Sequence, residues 1–450
     1  MSRHVLIGRF GDTDTLNVPK AGDESASSLQ LLTFGKRVDH GIGRAFDDLR
    51  ALGLRPSEIG ADLLVVAAHV HAADTRISRS SESQDGWTRE LRLVVPVSDP
   101  SRWTGAAPIL KRALDFLTGD RWEIGFRSRP KDFDTIVPPM DASLIPPPFD
   151  GVSLFSGGLD SLIGAIDTLE AKEKPLLVSH AGEGLVSKSQ EQCFDGLKAA
   201  YPKASFDRLR MWMAFDQGLV DNVDSEETTR GRSFLFFSLG IAAGTALDKP
   251  FTLKVPENGL IALNVPLDPL RLGALSTRTT HPFYMARWNE LLAALGLQAS
   301  VDNPYWNKTK GEMVSECSGP ATLKSLAPKS LSCSSPSKGR WSKKPQGHCG
   351  YCLPCLIRRA SLSKGDTTTY GVPDLKAQAL DTKTAEGVQA RSFQLAFDRL
   401  KARPTLAKLL IHKPGPLSDD PARLDELADV YRRGLEEVGK LLHGVKTVPG

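Results

Sequence analysis

The chain reads as an α/β protein built around a parallel sheet with helices on both faces. Three observations lead to this reading. From Gly151 onward, short apolar strands alternate with helical stretches, as expected where crossovers link parallel strands. A Ser-Gly-Gly turn ends the first of these strands, and ligands of such sheets bind beyond the carboxyl ends of the strands. A proline-rich connector separates this region from what precedes it.

Residues 1–137 read as an α+β unit with an accessory or recognition role. "ADLLVVAAHVHAAD" contains a buried strand in this reading. "WTRELRLVVPV" alternates at Leu91, Leu93 and Val95, which suits a half-buried strand. "APILKRALDFLTGD" carries a helical stripe (Ile109, Leu110, Ala113, Leu114, Leu117) that stops near Gly119. Asp74, Arg76 and Arg79 are polar residues with a binding or, more simply, a surface or structural role. The connector, placed at 138–150, has five prolines in the fifteen residues from Ile136 to Asp150.

In the region 151–370, strands are expected at Val152–Phe155, "PLLVSH", "LRMWMAF" and "FTLKVPE". Helices are expected from about Ser161 to Leu169, in "QEQCFDGLKAAY", and in "RSFLFFSLGIAAGTAL". The last is apolar nearly all round, the mark of a buried helix. The 371–450 extension reads as helical. Asp420-Pro421 offers an N-cap and a first-turn proline. Leu424, Leu427, Ala428, Tyr431, Leu435, Val438 and Leu442 then form one apolar stripe that packs on the body of the protein.

Composition narrows the function classes. No apolar run approaches the ~20 residues that cross a bilayer, and the N-terminus shows no signal-peptide pattern. A cytoplasmic protein without a membrane partner is expected. A net charge of +4 is too small to imply a nucleic-acid binder. One segment, from Ala321 to Ala360, nevertheless has eight Lys or Arg and no acid, so it will attract anions.

Two motifs carry chemistry. In "VSLFSGGLDSLIGAI" the backbone of Gly157 and Gly158 can approach an anion closely, and the following helix offers free N–H groups and its positive end. Ser156 and Ser161 supply hydroxyls, and Asp160 orients the loop or helps hold Mg²⁺. The Lys-Ser/Thr ending of the Walker loop is missing. In "CGYCLPC", Cys349, Cys352 and Cys355 are spaced to converge on one ion, with Zn²⁺ preferred. The residues leave the fourth ligand open among Cys333, Cys317 and His348.

"SGGLDS" resembles the pyrophosphate loop of the N-type ATP pyrophosphatases (the PP-loop superfamily). With the cysteine knuckle it resembles the QueC-like 7-cyano-7-deazaguanine synthases, whose Ser-Cys and Cys-Gly-x-Cys-x-x-Cys elements match "LSCSS" and "CGYCLPC". The match covers about Gly151 to Tyr370. It implies Cys333 as the fourth zinc ligand, although the gap to Cys349 is longer than usual. Arg358 or Arg359 matches the family's trailing arginine. Arg232 matches the first residue of an Arg-Asn helix, with Ser233 in place of the asparagine. "KTKGEMV" resembles the family's Lys-Thr-Lys-x-Glu segment, with Lys310 as the matching lysine. The added terminal regions resemble the QueC-like component of the Qat anti-phage defence systems.

The resemblance implies the following chemistry. ATP would bind at Ser156, Gly157, Gly158, Asp160 and Ser161, with His180 bordering the adenine. A deazapurine carboxylate would be adenylated, with Asp160, Lys310 and Arg232 as the catalytic set and Glu257, Asn258, Arg278 and His281 as the substrate pocket. Pyrophosphate would leave, and an amine would take the acyl group. That amine is ammonia in the housekeeping enzyme, which makes a nitrile. A defence version is expected to use a different acceptor, such as an amine on a partner protein of the Qat system. A stand-alone 7-cyano-7-deazaguanine synthase using ammonia, a tRNA-modifying enzyme and a non-catalytic ATP-binding scaffold are the other readings.

Overall fold

A computed structural model describes residues 3–32, 37–83, 85–140, 148–182, 184–221, 223–226, 230–267, 278–337, 346–362 and 365–449. Lys338, Arg340, Lys343 and Lys344 of the basic segment, and 141–147 of the proline-rich connector, lie outside these residues.

The N-terminal region runs β1 (Arg3–Arg9), β2 (Ser25–Gln30), α1 (Ile42–Ala51), α2 (Glu58–Arg76), α3 (Arg79–Glu82), β3 (Glu90–Val97), α4 (Pro100–Thr118) and β4 (Arg121–Ser128). Its strands form one sheet in the order β2-β1-β3-β4, and every pairing is parallel. The region is therefore α/β in character rather than α+β. The cue was faint because β2, "SASSLQ", is a polar edge strand with only Leu29 buried. The run "ADLLVVAAHVHAAD" is also corrected: it lies within helix α2, not a strand. A short apolar run does not distinguish a buried helix from a buried strand by periodicity. Here the Ser57 Oγ accepts the Gly60 N–H and starts a nineteen-residue helix buried on nearly every side. Helix α4 begins at Asp99, whose carboxylate accepts the Arg102 N–H, and ends at Gly119 with φ +76°.

The central region follows with β5 (Gly151–Leu154), α5 (Leu159–Glu170), β6 (Pro175–His180), α6 (Gly184–Ala200), β7 (Asp207–Met211), α7 (Arg232–Gly244), β8 (Phe251–Lys254), α8 (Gly259–Leu263), α9 (Pro282–Ala294), β9 (Ala299–Asp302), α10 (Lys310–Ser315) and α11 (Pro320–Leu326). Its five strands pair in parallel in the order β7-β6-β5-β8-β9. The order reverses at β5, so the Ser-Gly-Gly turn sits where crossovers diverge and a crevice opens. Helices α5, α6 and α11 close one apolar layer with residues such as Ile163, Leu197 and Leu326. Helices α7 and α9 cover the other face.

That second face is shared. Helix α2 packs on β3 and on α7, and α4 packs on β4 and on α9, so one core runs from the first sheet to the second. The approach is close: a Cβ on Gly60 would lie 3.2 Å from Ala242 Cα and 2.5 Å from Thr245 Oγ1.

The last region comprises α12 (Leu353–Ser361), β10 (Leu380–Asp381), α13 (Ala385–Ala402), α14 (Leu406–Leu410), α15 (Leu424–Leu441) and β11 (Thr447–Val448). The predicted stripe on α15 packs inward: Leu427, Ala428, Tyr431, Leu435, Val438 and Leu442 are buried against α8, α12 and α13. Asp420 does not cap α15. Residues 421–423 form one 3₁₀ turn, and the Asp420 carboxylate pairs with Arg423 at 2.8 Å.

Asp74 and Arg79 are structural. Arg89, fully buried, bridges Asp74 (3.0 Å) and Asp120 (2.7 Å), and Arg79 bridges the same two acids. The free oxygen of Asp74 accepts the Gly231 N–H at 2.7 Å, just before α7 begins. Removing one partner of such a network leaves a charge buried and uncompensated. Arg89→Met is expected to lower unfolding free energy by about 3–5 kcal/mol, measured from urea-unfolding curves.

Candidate functional site

The turn between β5 and α5 is built as an open cradle. Gly157 has φ +78°, and a Cβ there would lie 2.9 Å from the Gln190 backbone nitrogen, so only glycine fits. The Gly158 N–H donates to Ser156 Oγ (3.2 Å), Ser161 Oγ donates to the Gly158 carbonyl (3.1 Å), and the two serine hydroxyls are 3.1 Å apart. The Gly157 carbonyl is tied down by Ser189 Oγ (2.9 Å) and the Leu331 N–H (2.8 Å). With its carbonyl held inside, the turn leaves backbone N–H groups and the start of a twelve-residue helix toward the crevice.

Asp160 faces the other way. Its carboxylate is buried and pairs with Lys310 Nζ at 3.0 Å, while the other oxygen accepts from Asn258 Nδ2 (2.7 Å) and the Asn258 N–H (3.2 Å). Lys310 opens α10 behind a Thr309–Glu312 capping box. Asn258 caps α8, its Oδ1 accepting the Ile261 N–H. Both residues therefore position Asp160 from behind the turn. Glu257 is the acid that reaches the crevice. Burial, with the Asp160 charge alongside, pushes its carboxyl up to about 8, against a smaller opposing pull from Lys310.

A cavity of about 290 Å³ lies over this turn, bordered by Ser156, Ser161, His180, Gln190, Arg232 and Glu257. His180, at the end of β6, has no hydrogen-bond partner for either ring nitrogen among the described residues. Burial, helped by Arg232 and by His71 from α2, lowers its pKa to about 3. The imidazole is therefore neutral near pH 7 and offers one donor and one acceptor to a heterocycle edge. The Arg232 guanidinium lies over the Phe236 ring, 5.1 Å from its centroid. Arg278 and His281 are not brought to this cavity. Arg278 donates to the Phe116 carbonyl (2.7 Å), and His281 caps α9 with its ring 5.0 Å from that of Phe116.

Several contributors were not singled out from sequence. Gln190 donates to the His180 carbonyl (3.0 Å) and packs on Gly157, yet no motif marks it. Thr279 and Leu331 also line the cavity. Ser332 accepts the Leu159 N–H at 3.3 Å; its sequence cue is that it is the serine of the Ser-Cys element in "LSCSS".

The second constellation is a closed cysteine cluster. The sulfurs of Cys333, Cys349, Cys352 and Cys355 all lie within 4.8 Å of one another. The Cys333–Cys352 and Cys349–Cys355 separations are 3.8 and 3.9 Å. Four thiolates about 2.3 Å from a tetrahedral zinc have edges of roughly 3.8 Å, so the cluster can hold such an ion. The Cys352 N–H donates to Cys349 Sγ (3.3 Å). His348 is engaged elsewhere, its Nε2 accepting the Ser332 N–H at 3.1 Å. Cys317 lies apart, in the apolar layer with Leu323 and Leu326.

Two outcomes follow from this geometry. Cys352→Ser is expected to release one zinc per chain, read by elemental mass spectrometry, and to lower the melting temperature. For Glu257, a raised carboxyl pKa means that the fold favours the protonated form. Its stabilisation is full below pH 4.5 and fades as pH rises through about 8. In metal-free buffer, Glu257→Gln is expected to melt higher than wild type at pH 8 and to match it at pH 4.5.

No family model matches the chain, and no curated protein matches it at significant similarity.

Proposed function

We propose that the chain is an ATP-dependent adenylating enzyme of the 7-cyano-7-deazaguanine synthase type, acting in anti-phage defence. The observation that carries this reading is the cavity over the Ser156–Ser161 turn, with Glu257, His180 and Arg232 on its walls. The turn receives the β- and γ-phosphates of ATP on its N–H groups and hydroxyls. His180 meets the edge of a flat heterocycle, and Arg232 balances phosphate charge.

Glu257 beside Asp160 fits a magnesium ion, because two crowded carboxylates leave one short of a cation. Bound there, Mg²⁺ would neutralise charge building on the leaving pyrophosphate. The chain's own groups then do the positioning. A carboxylate oxygen of a deazapurine acid attacks the α-phosphorus, and the bond to pyrophosphate breaks. An amine nitrogen next attacks the acyl carbon, the acyl–phosphate bond breaks, and AMP leaves as the nitrogen loses a proton. The N-terminal sheet, sharing its core with the central one, suits recognition of a large amine acceptor such as a Qat-system protein.

The test combines ATP and 7-carboxy-7-deazaguanine with the purified chain, alone and with each Qat partner. AMP and pyrophosphate release and a mass shift on one partner are expected. Acid-dependent turnover that falls by about 10²-fold or more in Arg232→Ala would support the charge role given to Arg232. Absence of any acid-dependent pyrophosphate release sinks the reading.

A further inference from the structure

We propose that Ser332 is a phosphate-contacting residue, delivered to the Ser156–Ser161 turn by the cysteine cluster. The inference rests on the adenylation reading and adds to it a residue from outside the motif, about 170 positions away in sequence.

The segment Ser330–Cys333 lies across the turn as a latch. The Leu331 N–H donates to the Gly157 carbonyl (2.8 Å). Ser332 Oγ accepts the Leu159 N–H (3.3 Å), one of the unsatisfied donors at the start of α5. It also lies 3.9 Å from where a Cβ of Gly158 would be. The hydroxyl is thus half-buried beside the turn, next to Leu331, which borders the cavity.

Its hydrogen-bond inventory is incomplete in one direction. A serine oxygen has two acceptor positions and one proton to give. The Leu159 N–H and Arg358 Nη1 (3.5 Å) fill the two acceptor positions. Among the described residues no acceptor faces the proton. A pyrophosphate oxygen over the turn supplies that acceptor, so the hydroxyl joins Ser156 and Ser161 as a third donor.

The cluster side fixes where this donor points. The Ser332 N–H donates to His348 Nε2 (3.1 Å), next to Cys349. Arg358, fully buried on the helix that follows the knuckle, donates to Ser330 Oγ (2.9 Å), the Ala327 carbonyl (2.6 Å) and Thr368 Oγ1 (3.1 Å). Cys333, the next residue, is held in the four-sulfur cluster. Ser332 is therefore pinned on both sides and gives up little freedom when it binds an anion.

The test is isothermal titration of the full zinc-loaded chain with inorganic pyrophosphate, and separately with a non-hydrolysable ATP analogue. Ser332→Ala is expected to weaken both about tenfold or more, the loss of one hydrogen bond to a charged group. Ser332→Thr, which keeps the hydroxyl, should bind within about threefold of wild type. Zinc content and melting temperature should be unchanged in both variants. Unchanged affinity in Ser332→Ala, with affinity lost in Ser156→Ala, overturns the role of Ser332 and leaves the adenylation reading standing. Zinc loss or a lowered melting temperature that tracks the affinity change assigns Ser332 a purely structural role and also overturns it. Failure of the wild-type chain to bind either probe overturns the adenylation reading, and the inference with it.

Discussion

The buried carboxylate of Asp160 holds the candidate site together. It joins three segments that are far apart in the chain: the start of α5, the cap of α8 at Asn258 and the start of α10 at Lys310. Removing a carboxylate and an ammonium from water costs nearly as much as their attraction returns, so such a pair contributes little net stability. Its consequence is geometric. With Asp160 drawn inward, the Ser-Gly-Gly turn is anchored from behind, and its donors are left facing the crevice. Glu257, beside the same charge, is the acid left at the cavity wall.

The two parallel sheets share one apolar core. Helices α2 and α7 are each buried on nearly all faces because each lies between a sheet and the other helix. The buried acids and arginines of the N-terminal region reach the central one at two points, from Asp74 to the Gly231 N–H and from Arg79 to Glu226. The residue after Gly231 is Arg232, at the cavity wall. A region without a recognisable motif thus sets the position of a cation in the site, and its His71 adds to the neutrality of His180.

The cysteine cluster works at the opposite rim. Four sulfurs within 4.8 Å of one another would leave a zinc bound among them no open position, so it would hold backbone rather than activate a water. What it holds is the Ser330–Cys333 segment across the Ser-Gly-Gly turn, through His348 and Arg358. The candidate site is therefore braced from three directions: from behind by Asp160, from one side by the shared core, and from the other by the knuckle.

Local pattern alone determined the alternating β5-to-β8 region, the apolar stripe of α15, the Ser-Gly-Gly turn and the knuckle triplet. Each rests on near neighbours: a period, a turn or a Cys-x-x-Cys step. Where the pattern was ambiguous, the contacts of the folded chain decided. The run in α2 became a helix because two sheets enclose it, and the polar strand β2 is held by the parallel partner beside it. Arg278 and His281, polar residues close to the site in sequence, turned to Phe116 on α4. Asn258 and Lys310 took places behind Asp160 rather than at the cavity wall, while Gln190 and Ser332 came to the turn from other elements. These outcomes belong to tertiary structure for one physical reason. A side chain's chemistry is set by which distant groups share its burial and complete its hydrogen bonds, and no local spacing encodes that.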